Sequence, residues 1–219
     1  DELGRTIDYV RGLCTDRTWP RGELNLPRAL VTEKAFPENE ALLTTTIGGG
    51  DAATFDNVLL YEQRLGARSQ IEVAVPLAMQ KDGEGTWQYG LGDIAVAIKH
   101  ALFHSLESGT IVSAAAEVLL PTGKETQDLG KGVTIVEPFV AVGQLLPADS
   151  FLQFQGGIEL PTDTELASKE AFWRLVFGRT FVQNRFGRAW SPMIEIVGAR
   201  ELGAGDGAQW DVVPQMQVS

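Results

Sequence analysis

From Ala41 to the end of the chain, apolar and polar residues alternate with a period of two. Successive side chains of a β-strand point to opposite faces of its sheet, so this period predicts strands with one apolar and one polar face. The pattern indicates strands at 41–47, 55–65, 68–77, 91–104, 110–120, 134–146, 150–160, 171–182, 189–201 and 209–218. Most contain about ten residues or more, the length that a tilted strand needs to cross a lipid bilayer. Proline lacks a ladder donor, so bulges or shifted strand ends are predicted at Pro76, Pro138, Pro192 and Pro214.

The connections between these strands alternate in length. Short connections are predicted at 66–67, 105–109, 147–149 and 183–188, and longer ones near 48–54, 78–90, 121–133, 161–170 and 202–208. In an up-and-down barrel every second connection lies on the same rim, and outer-membrane barrels collect short turns on one rim and long loops on the other. We therefore predict an all-β fold, an up-and-down antiparallel transmembrane β-barrel. It would have about ten strands in this chain and roughly twelve or more in the complete protein.

One face of the predicted strands is apolar along most of its length. It carries Ile71, Val73, Val75, Leu77, Ile94, Val96, Ile98, Val112, Val118, Val136, Val140, Val142, Leu152, Phe154, Ile158, Leu175, Phe177, Ile194, Ile196, Val212 and Met216. Trp173, Trp190 and Trp210 lie near strand ends on this face, where an aromatic girdle would place them. His100 and Arg179 also fall here, towards the expected periplasmic rim, where a charge costs only about 0–1 kcal/mol.

The opposite face combines small residues with single charged or amide side chains at mid-strand. The candidate pore-lining residues are Glu72, Lys99, Glu117, Glu137, Gln153, Gln155, Glu159, Arg174, Glu195 and Asp211. Such a face suits the polar interior of a barrel. Two interpretations remain open: a constriction that admits cations or polar solutes, or a narrow barrel filled by pairing of the acids with Lys99, Arg174 and Arg64.

Charge and composition exclude several classes of protein. The formal net charge of -11 argues against nucleic-acid binding, which needs clusters of Lys and Arg. No run of about 18 apolar residues occurs, so no transmembrane helix is predicted. Cys14 is the single cysteine, which excludes a disulfide framework within the chain. No arrangement suited to nucleophilic catalysis is evident, so we expect neither an enzyme nor a bound metal or cofactor.

Short motifs that resemble ligand sites lack the context those sites require. Residues 90–95 spell the dinucleotide fingerprint, but a strand follows where a helix is needed. Residues 120–124 suggest a phosphate loop, but the earlier Gly and the following Ser or Thr are absent. His100 and His104 are predicted to share one face of a strand, too far apart to bind one zinc ion. The loop acids Asp82, Glu84 and Asp206 are predicted to be solvated charges rather than ligands of a calcium ion.

The first 40 residues lack the alternation and form a separate lead segment. Residues 8–13 could form a helical turn or two, whereas Pro20, Pro27 and Pro37 interrupt regular structure. We predict an irregular or partly helical periplasmic arm or plug over residues 1–40, followed by the barrel over residues 41–219.

Three short stretches of the strand region carry a family resemblance. They are residues 89–94 (Tyr-Gly-Leu-Gly-Asp-Ile), 119–124 (Leu-Leu-Pro-Thr-Gly-Lys) and 136–139 (Val-Glu-Pro-Phe). Their order and their strand or loop context resemble the MetA-pathway of phenol degradation family, a transporter-like group of outer-membrane barrels. The resemblance covers residues 55–218 and implies a barrel that passes small organic or aromatic compounds.

The resemblance also sets expectations for the two ends of the chain. The family pattern implies at least one more hairpin, so the complete barrel is expected to extend beyond residue 219. The region around Cys14 and Trp19 resembles the linker that follows a c-type haem domain in some fused barrels. No Cys-x-x-Cys-His motif occurs here, so no haem is assigned to this chain.

These features together predict an outer-membrane pore or channel-like barrel, in contact with membrane lipid, for passive movement of small solutes. A second hypothesis is a structural barrel that transports nothing and holds or insulates a periplasmic or haem-carrying partner, such as a c-type cytochrome. A third is a soluble barrel that binds a small ligand, which the strand lengths and the loop asymmetry disfavour.

Overall fold

The computed structural model describes residues 24–48, 54–81, 86–124, 129–182, 188–203 and 207–219. The strands are β1 (Glu40–Gly48), β2 (Thr54–Leu65), β3 (Ser69–Lys81), β4 (Trp87–Leu91), β5 (Ile94–Ser105), β6 (Thr110–Leu120), β7 (Ile135–Leu146), β8 (Ser150–Pro161), β9 (Glu170–Arg179), β10 (Phe181–Val182), β11 (Ala189–Glu201) and β12 (Gln209–Val218). In this described part of the chain, no helix is long and apolar enough to span a membrane. The helical turn expected at 8–13, and the residues Cys14, Asp82, Glu84 and Asp206, lie outside the described residues.

The strands form one antiparallel sheet of 12 strands in up-and-down order, which confirms the all-β prediction. Neighbours in the chain pair with each other, except that β4 and β5 both lie against β3, and β9 and β10 both lie against β11. The predicted strands 91–104 and 171–182 are therefore each interrupted once. Within the described residues the sheet is not closed, because β1 pairs only with β2 and β12 pairs only with β11.

Successive strands are joined alternately at the two ends of the sheet, called the near rim and the far rim below. The gaps between strand bounds at the near rim are 66–68, 106–109, 147–149 and 183–188, three to six residues long, and those at the far rim are 49–53, 82–86, 121–134, 162–169 and 202–208, five to fourteen residues long. The predicted difference in length is therefore present in part, because the gap at 183–188 is longer than those at 49–53 and 82–86. The prediction of a long loop at 78–90 is wrong, because β3 continues to residue 81 and β4 begins at residue 87. Leu77 pairs with Leu91 and Met79 with Tyr89, so apolar cross-strand contacts extend this hairpin beyond the predicted strand end.

On one side, each of the four prolines with a predicted irregularity pairs in a regular register: Pro76 with Val58, Pro138 with Ala116, Pro192 with Met216 and Pro214 with Ile194. On the other side of Pro76, the pairs Ala74–Ala95 and Leu77–Leu91 differ in register by one residue, at the break between β4 and β5. The ladder is also interrupted opposite Pro138 on β8 and opposite Pro192 between β9 and β10, although the register is the same beyond each interruption. The predicted irregularities therefore occur beside three of the four prolines, where the missing N–H removes a ladder donor.

A second register shift lies between β5 and β6, at Ala101 and Phe103. It sets His100 opposite Ala114 and His104 opposite Ile111. Residues 111 and 114 differ in parity and so lie on opposite faces of β6. The two histidines are therefore on opposite faces too, and the prediction of a shared face is wrong because the bulge reverses the alternation.

The two faces of the sheet have the reverse of the polarity usual in a water-soluble protein. Residues 24–39 cover one face, called the inner face, and leave the other, called the outer face, uncovered. On the outer face, large apolar side chains are exposed, with Ile98 at 57%, Phe177 at 55% and Ile194 at 52%. On the inner face, polar side chains are buried, with Lys99 at 3% exposure and Glu195 at 0%. The alternation predicted from the sequence is thus confirmed, and the charges lie on the face of the sheet that residues 24–39 cover.

Residues 24–39, called the inner segment below, lie against the inner face and supply its apolar centre. Leu24, Ala35 and Phe36 belong to a buried cluster completed by Ala67, Ala101, Ile111, Phe139, Ala141 and Phe172. Leu26 and Ala29 belong to a second cluster completed by Phe151, Val176 and Met193. Burying one side chain of the size of Phe36 contributes about 1.5–3 kcal/mol, so these contacts hold the inner segment firmly.

Candidate functional site

Eight glutamates follow one another across the inner face and form what we call the acid row. They are Glu40, Glu62, Glu72, Glu117, Glu137, Glu159, Glu170 and Glu201. The register pairs them strand by strand, with Ala97 between the third and the fourth. Glu137 and Glu159 are not themselves a ladder pair. The pairs on either side, Val136–Leu160 and Phe139–Gly157, share one register, which sets these two glutamates opposite each other. Like charges opposite each other destabilise a sheet, so stability alone does not account for this row.

The acid row crosses the interior from one rim to the other. Glu40 is the first residue of β1, at the near rim. Glu170 is the first residue of β9 and Glu201 is the last residue of β11, both at the far rim. The row therefore provides a line of carboxylates across the inner face that is interrupted only on β5, at Ala97.

At the near rim, Arg28 of the inner segment balances the first members of the acid row. Its guanidinium contacts Glu40 at 3.0 Å and also pairs with the buried Glu62. Its backbone N–H donates to Gln217 of β12 at 2.8 Å. Arg28 thus joins the first and the last strand of the sheet, which do not pair with each other.

Glu33, Glu62 and Glu72 each place one carboxylate oxygen within 4.8 Å of the others, and among the described residues they form the candidate metal-binding group. The ammonium of Lys99 is 3.1 Å from Glu33, and Arg28 pairs with Glu62. Two of the three carboxylates therefore already have a cationic partner, although Arg28 is shared with Glu40, and the group has the chemistry of an ion-pair network. Burial by itself raises the pKa of Glu33, but the charges of Lys99 and Arg28 outweigh it and hold that pKa below its ordinary value.

Several predicted pore-lining residues bind the backbone of the inner segment. Glu195 accepts the N–H groups of Val31 at 3.2 Å and Thr32 at 2.6 Å. Gln155 accepts the N–H of Glu33 at 2.9 Å, and Lys99 donates to the carbonyl of Lys34 at 2.8 Å. Because the inner segment has no strand partner, these side chains satisfy backbone groups that would otherwise be buried without a hydrogen bond.

Gln153 and Arg174 bind the inner segment in the same way. Gln153 donates to the carbonyl of Pro27 at 2.8 Å, and Arg174 donates to that of Val31 at 2.9 Å. The other predicted residues divide into two groups. Members of the acid row are Glu72, Glu117, Glu137 and Glu159. Asp211 lies apart, exposed on β12 opposite Val197.

At the far rim, Asp93 connects two stretches that are about 30 residues apart in sequence. One oxygen of its carboxylate accepts the N–H of Gly123 at 2.9 Å, and the other accepts that of Lys131 at 2.6 Å. The hydroxyl of Thr122 donates to the carbonyl of Gly92 at 3.0 Å and accepts the N–H of Ile94 at 2.9 Å. The described parts of the β6–β7 connection, residues 121–124 and 129–134, are thereby fixed to the β4–β5 junction.

The sequence reasoning missed some residues of this site. Glu62 has the same parity as the predicted inner residues and was recoverable from the alternation. Arg28 and Glu33 lie in a stretch without period, so no pattern indicated that they face the sheet. Asp93 lies in the stretch that resembles a dinucleotide fingerprint, and its partner Gly123 lies in the one that resembles a phosphate loop; neither motif predicts a contact between them.

No protein-family model matches the chain. No curated protein matches it either.

Proposed function

We propose that the protein is an outer-membrane β-barrel whose acidic interior serves the passive movement of small, preferentially cationic or polar solutes. The observation that carries the proposal is the inverted polarity of the sheet. Large apolar side chains are exposed on its outer face, while charges and amides are buried on its inner face. Water penalises such an outer face, whereas a bilayer stabilises it.

Two further features support the membrane. Ten of the twelve described strands have nine to thirteen residues, and only β4 and β10 are shorter. A bilayer-crossing strand needs about 9–11 residues. Trp173 and Trp210 stack edge to face with ring centroids 5.0 Å apart on the outer face, near the far rim. Tryptophans near the ends of bilayer-crossing strands are typical of a membrane interface.

The acid row supports the preference for cations. Carboxylate rings select cations because they replace part of the hydration energy and repel anions. The far half of the row, from Glu117 to Glu201, faces fewer ion-pair partners than the near half, where Arg28 and Lys99 lie. The resemblance to a transporter-like barrel family agrees with this role and suggests organic solutes.

A second function, that of a barrel that transports nothing and insulates a partner, is favoured by one observation. The inner segment fills the near half of the interior and is bound there by side chains from β1 to β12. An interior filled in this way closes the passage unless the inner segment moves.

The membrane proposal is tested by fractionating cells that express the full-length gene and by boiling the extracted protein before electrophoresis. We expect it in the outer membrane, with a band that shifts on boiling, because a closed membrane barrel resists detergent until heated. A soluble protein whose band does not shift would contradict the membrane and favour the soluble ligand-binding barrel.

The transport proposal is tested by ion conductance in planar bilayers. We expect a cation preference that decreases in the double variant Glu117→Gln/Glu137→Gln, because these residues pair across β6 and β7 in the acid row. The control is Glu165→Gln, which removes an exposed charge from the β8–β9 connection. Insertion without conductance would contradict transport and support the insulating barrel.

A further inference from the structure

The far half of the acid row has a cation beside it that does not come from the sheet. Lys131 belongs to the β6–β7 connection, and its ammonium lies 3.5 Å from the carboxylate of Glu159. The same charge acts on Glu137 and Glu170, the neighbours of Glu159 in the row. A positive charge at this position opposes the attraction of the row for cations.

The position of Lys131 depends on Asp93. Asp93 accepts the backbone N–H of Lys131 itself, at 2.6 Å, as well as that of Gly123. Charge-assisted bonds of this kind are the stronger class of hydrogen bond and have defined geometry. The lysine backbone is thus fixed, while its side chain is about half exposed at the mouth of the far rim.

The packing around Asp93 leaves little freedom for this arrangement to shift. A Cβ added to Gly130 would lie 2.6 Å from an oxygen of Asp93, and one added to Gly123 would lie 2.3 Å from the carbonyl oxygen of Leu129. Leu129 itself is buried at the inner side of Gly90, on β4. Gly123, Gly130 and Leu129 therefore pack the described part of the β6–β7 connection closely against Asp93 and β4.

We propose that Lys131 is a specificity-determining residue of the far mouth, and that Asp93 is the positioning residue that places it beside the acid row. The inference rests on the proposed function, because it names the group that moderates the cation preference of the interior. Lys131 offsets part of the acid row, so that the mouth admits cations without binding them tightly.

The test measures the reversal potential of the purified full chain in planar bilayers under a potassium chloride gradient. We expect Lys131→Gln to raise the ratio of cation to anion permeability by about two- to four-fold, the effect of one partly screened charge. Asp93→Ala should raise the ratio as well, because the release of the Lys131 backbone outweighs the loss of one carboxylate that is already bound to two N–H groups. A lower ratio in Asp93→Ala would overturn the positioning role. The double variant should not exceed Lys131→Gln, because Asp93 acts through the lysine.

Two matched controls separate this role from a general effect of charge or folding. Lys124→Gln removes an exposed lysine from the same connection, and Asp163→Ala removes an acid that accepts one local backbone bond in the neighbouring connection. Both should leave the permeability ratio unchanged. The ratio reports selectivity, which a merely structural loss of channels would not change.

The outcomes distinguish the inference from the function on which it rests. If Glu117→Gln/Glu137→Gln lowers the cation preference but Lys131→Gln leaves the ratio as in the wild type, the inference is overturned and the pore remains. An additive effect in the double variant would overturn the positioning role of Asp93. A wild-type chain that inserts but does not conduct would overturn the transport function and the inference with it.

Discussion

At the scale of single residues, the inner face depends on positions where no side chain fits. Gly157 of β8 lies between Phe139 and Phe172, and an added Cβ would be 2.6 Å from the Cβ of Phe139 and from the carbonyl oxygen of Pro138. Neither atom can move without shifting the backbone. The glycine therefore lets the side chains of Phe139 on β7 and Phe172 on β9 pack directly against the backbone of β8.

We expect Gly157→Ala to lower the free energy of unfolding by about 1–3 kcal/mol, because the added methyl group overpacks this site. The measurement is urea-induced unfolding from lipid vesicles or detergent. Gly207→Ala is the control, since nothing lies within 4 Å of its added Cβ, and it should leave the midpoint unchanged. Equal effects of the two substitutions would contradict the packing argument.

At the scale of elements, the inner segment is held to the sheet by hydrogen bonds between its backbone and side chains of the strands, and not by strand pairing. Its N–H and carbonyl groups bind amides and charges that project from the sheet, such as Gln155 and Glu195. Its charges are arranged likewise, with Glu33 facing Lys99 and Arg28 facing Glu62. Such a segment is sensitive to pH, because protonating one carboxylate leaves its partner charge without compensation.

The pH dependence follows from the pKa of Glu33, which the folded structure holds below its ordinary value of 4.5. A carboxyl group whose pKa is lowered by folding stabilises the protein above the unfolded value, and that stabilisation is lost as the pH falls through the folded value. We therefore expect the inner segment to loosen on acidification below about pH 4.5. The measurement compares urea midpoints between pH 7 and pH 3 for the wild type and Glu33→Gln.

Protonation of other carboxyl groups also changes the stability over this pH range. The informative quantity is therefore the difference in urea midpoint between the wild type and Glu33→Gln. It should be largest at neutral pH and shrink on acidification. Glu165→Gln, on the exposed β8–β9 connection, serves as the control and should follow the wild type. Parallel curves for wild type and Glu33→Gln would show that the Glu33–Lys99 pair does not contribute.

At the scale of the whole molecule, the exposed apolar side chains of the outer face allow the proposed membrane location to be tested. Apolar side chains such as Ile194 are exposed at mid-strand, and Leu106 is exposed in a turn of the near rim. In water, a charge at either position would be harmless or would aid solubility. In a bilayer the cost of a charge depends on depth, so the two positions would differ.

We expect Ile194→Lys to destabilise the inserted protein by about 2–4 kcal/mol, and Leu106→Lys by only about 0–1 kcal/mol. Folding into phosphatidylcholine vesicles, followed by urea titration, measures both. A lysine at residue 194 that is tolerated as well as one at residue 106 would contradict a lipid-facing outer surface.

The local pattern of the sequence determined the strands, the up-and-down order and the two faces. Pleating ties side-chain direction to parity, so Ile98 and Lys99 had to lie on opposite faces whatever the sheet became. Where the backbone departs from regular pleating the inference failed, as at the bulge that separates His100 from His104.

Only the tertiary structure decided what fills the interior. Arg28 and Glu33 belong to a stretch with no period, and their partners Glu62 and Lys99 are about 30 to 70 residues away. Likewise, Asp93 meets Gly123 and Lys131 only because β4, β5 and β6 bring their far ends together. Contacts between an irregular segment and a sheet depend on how distant parts of the chain come together in the fold, which no local period encodes.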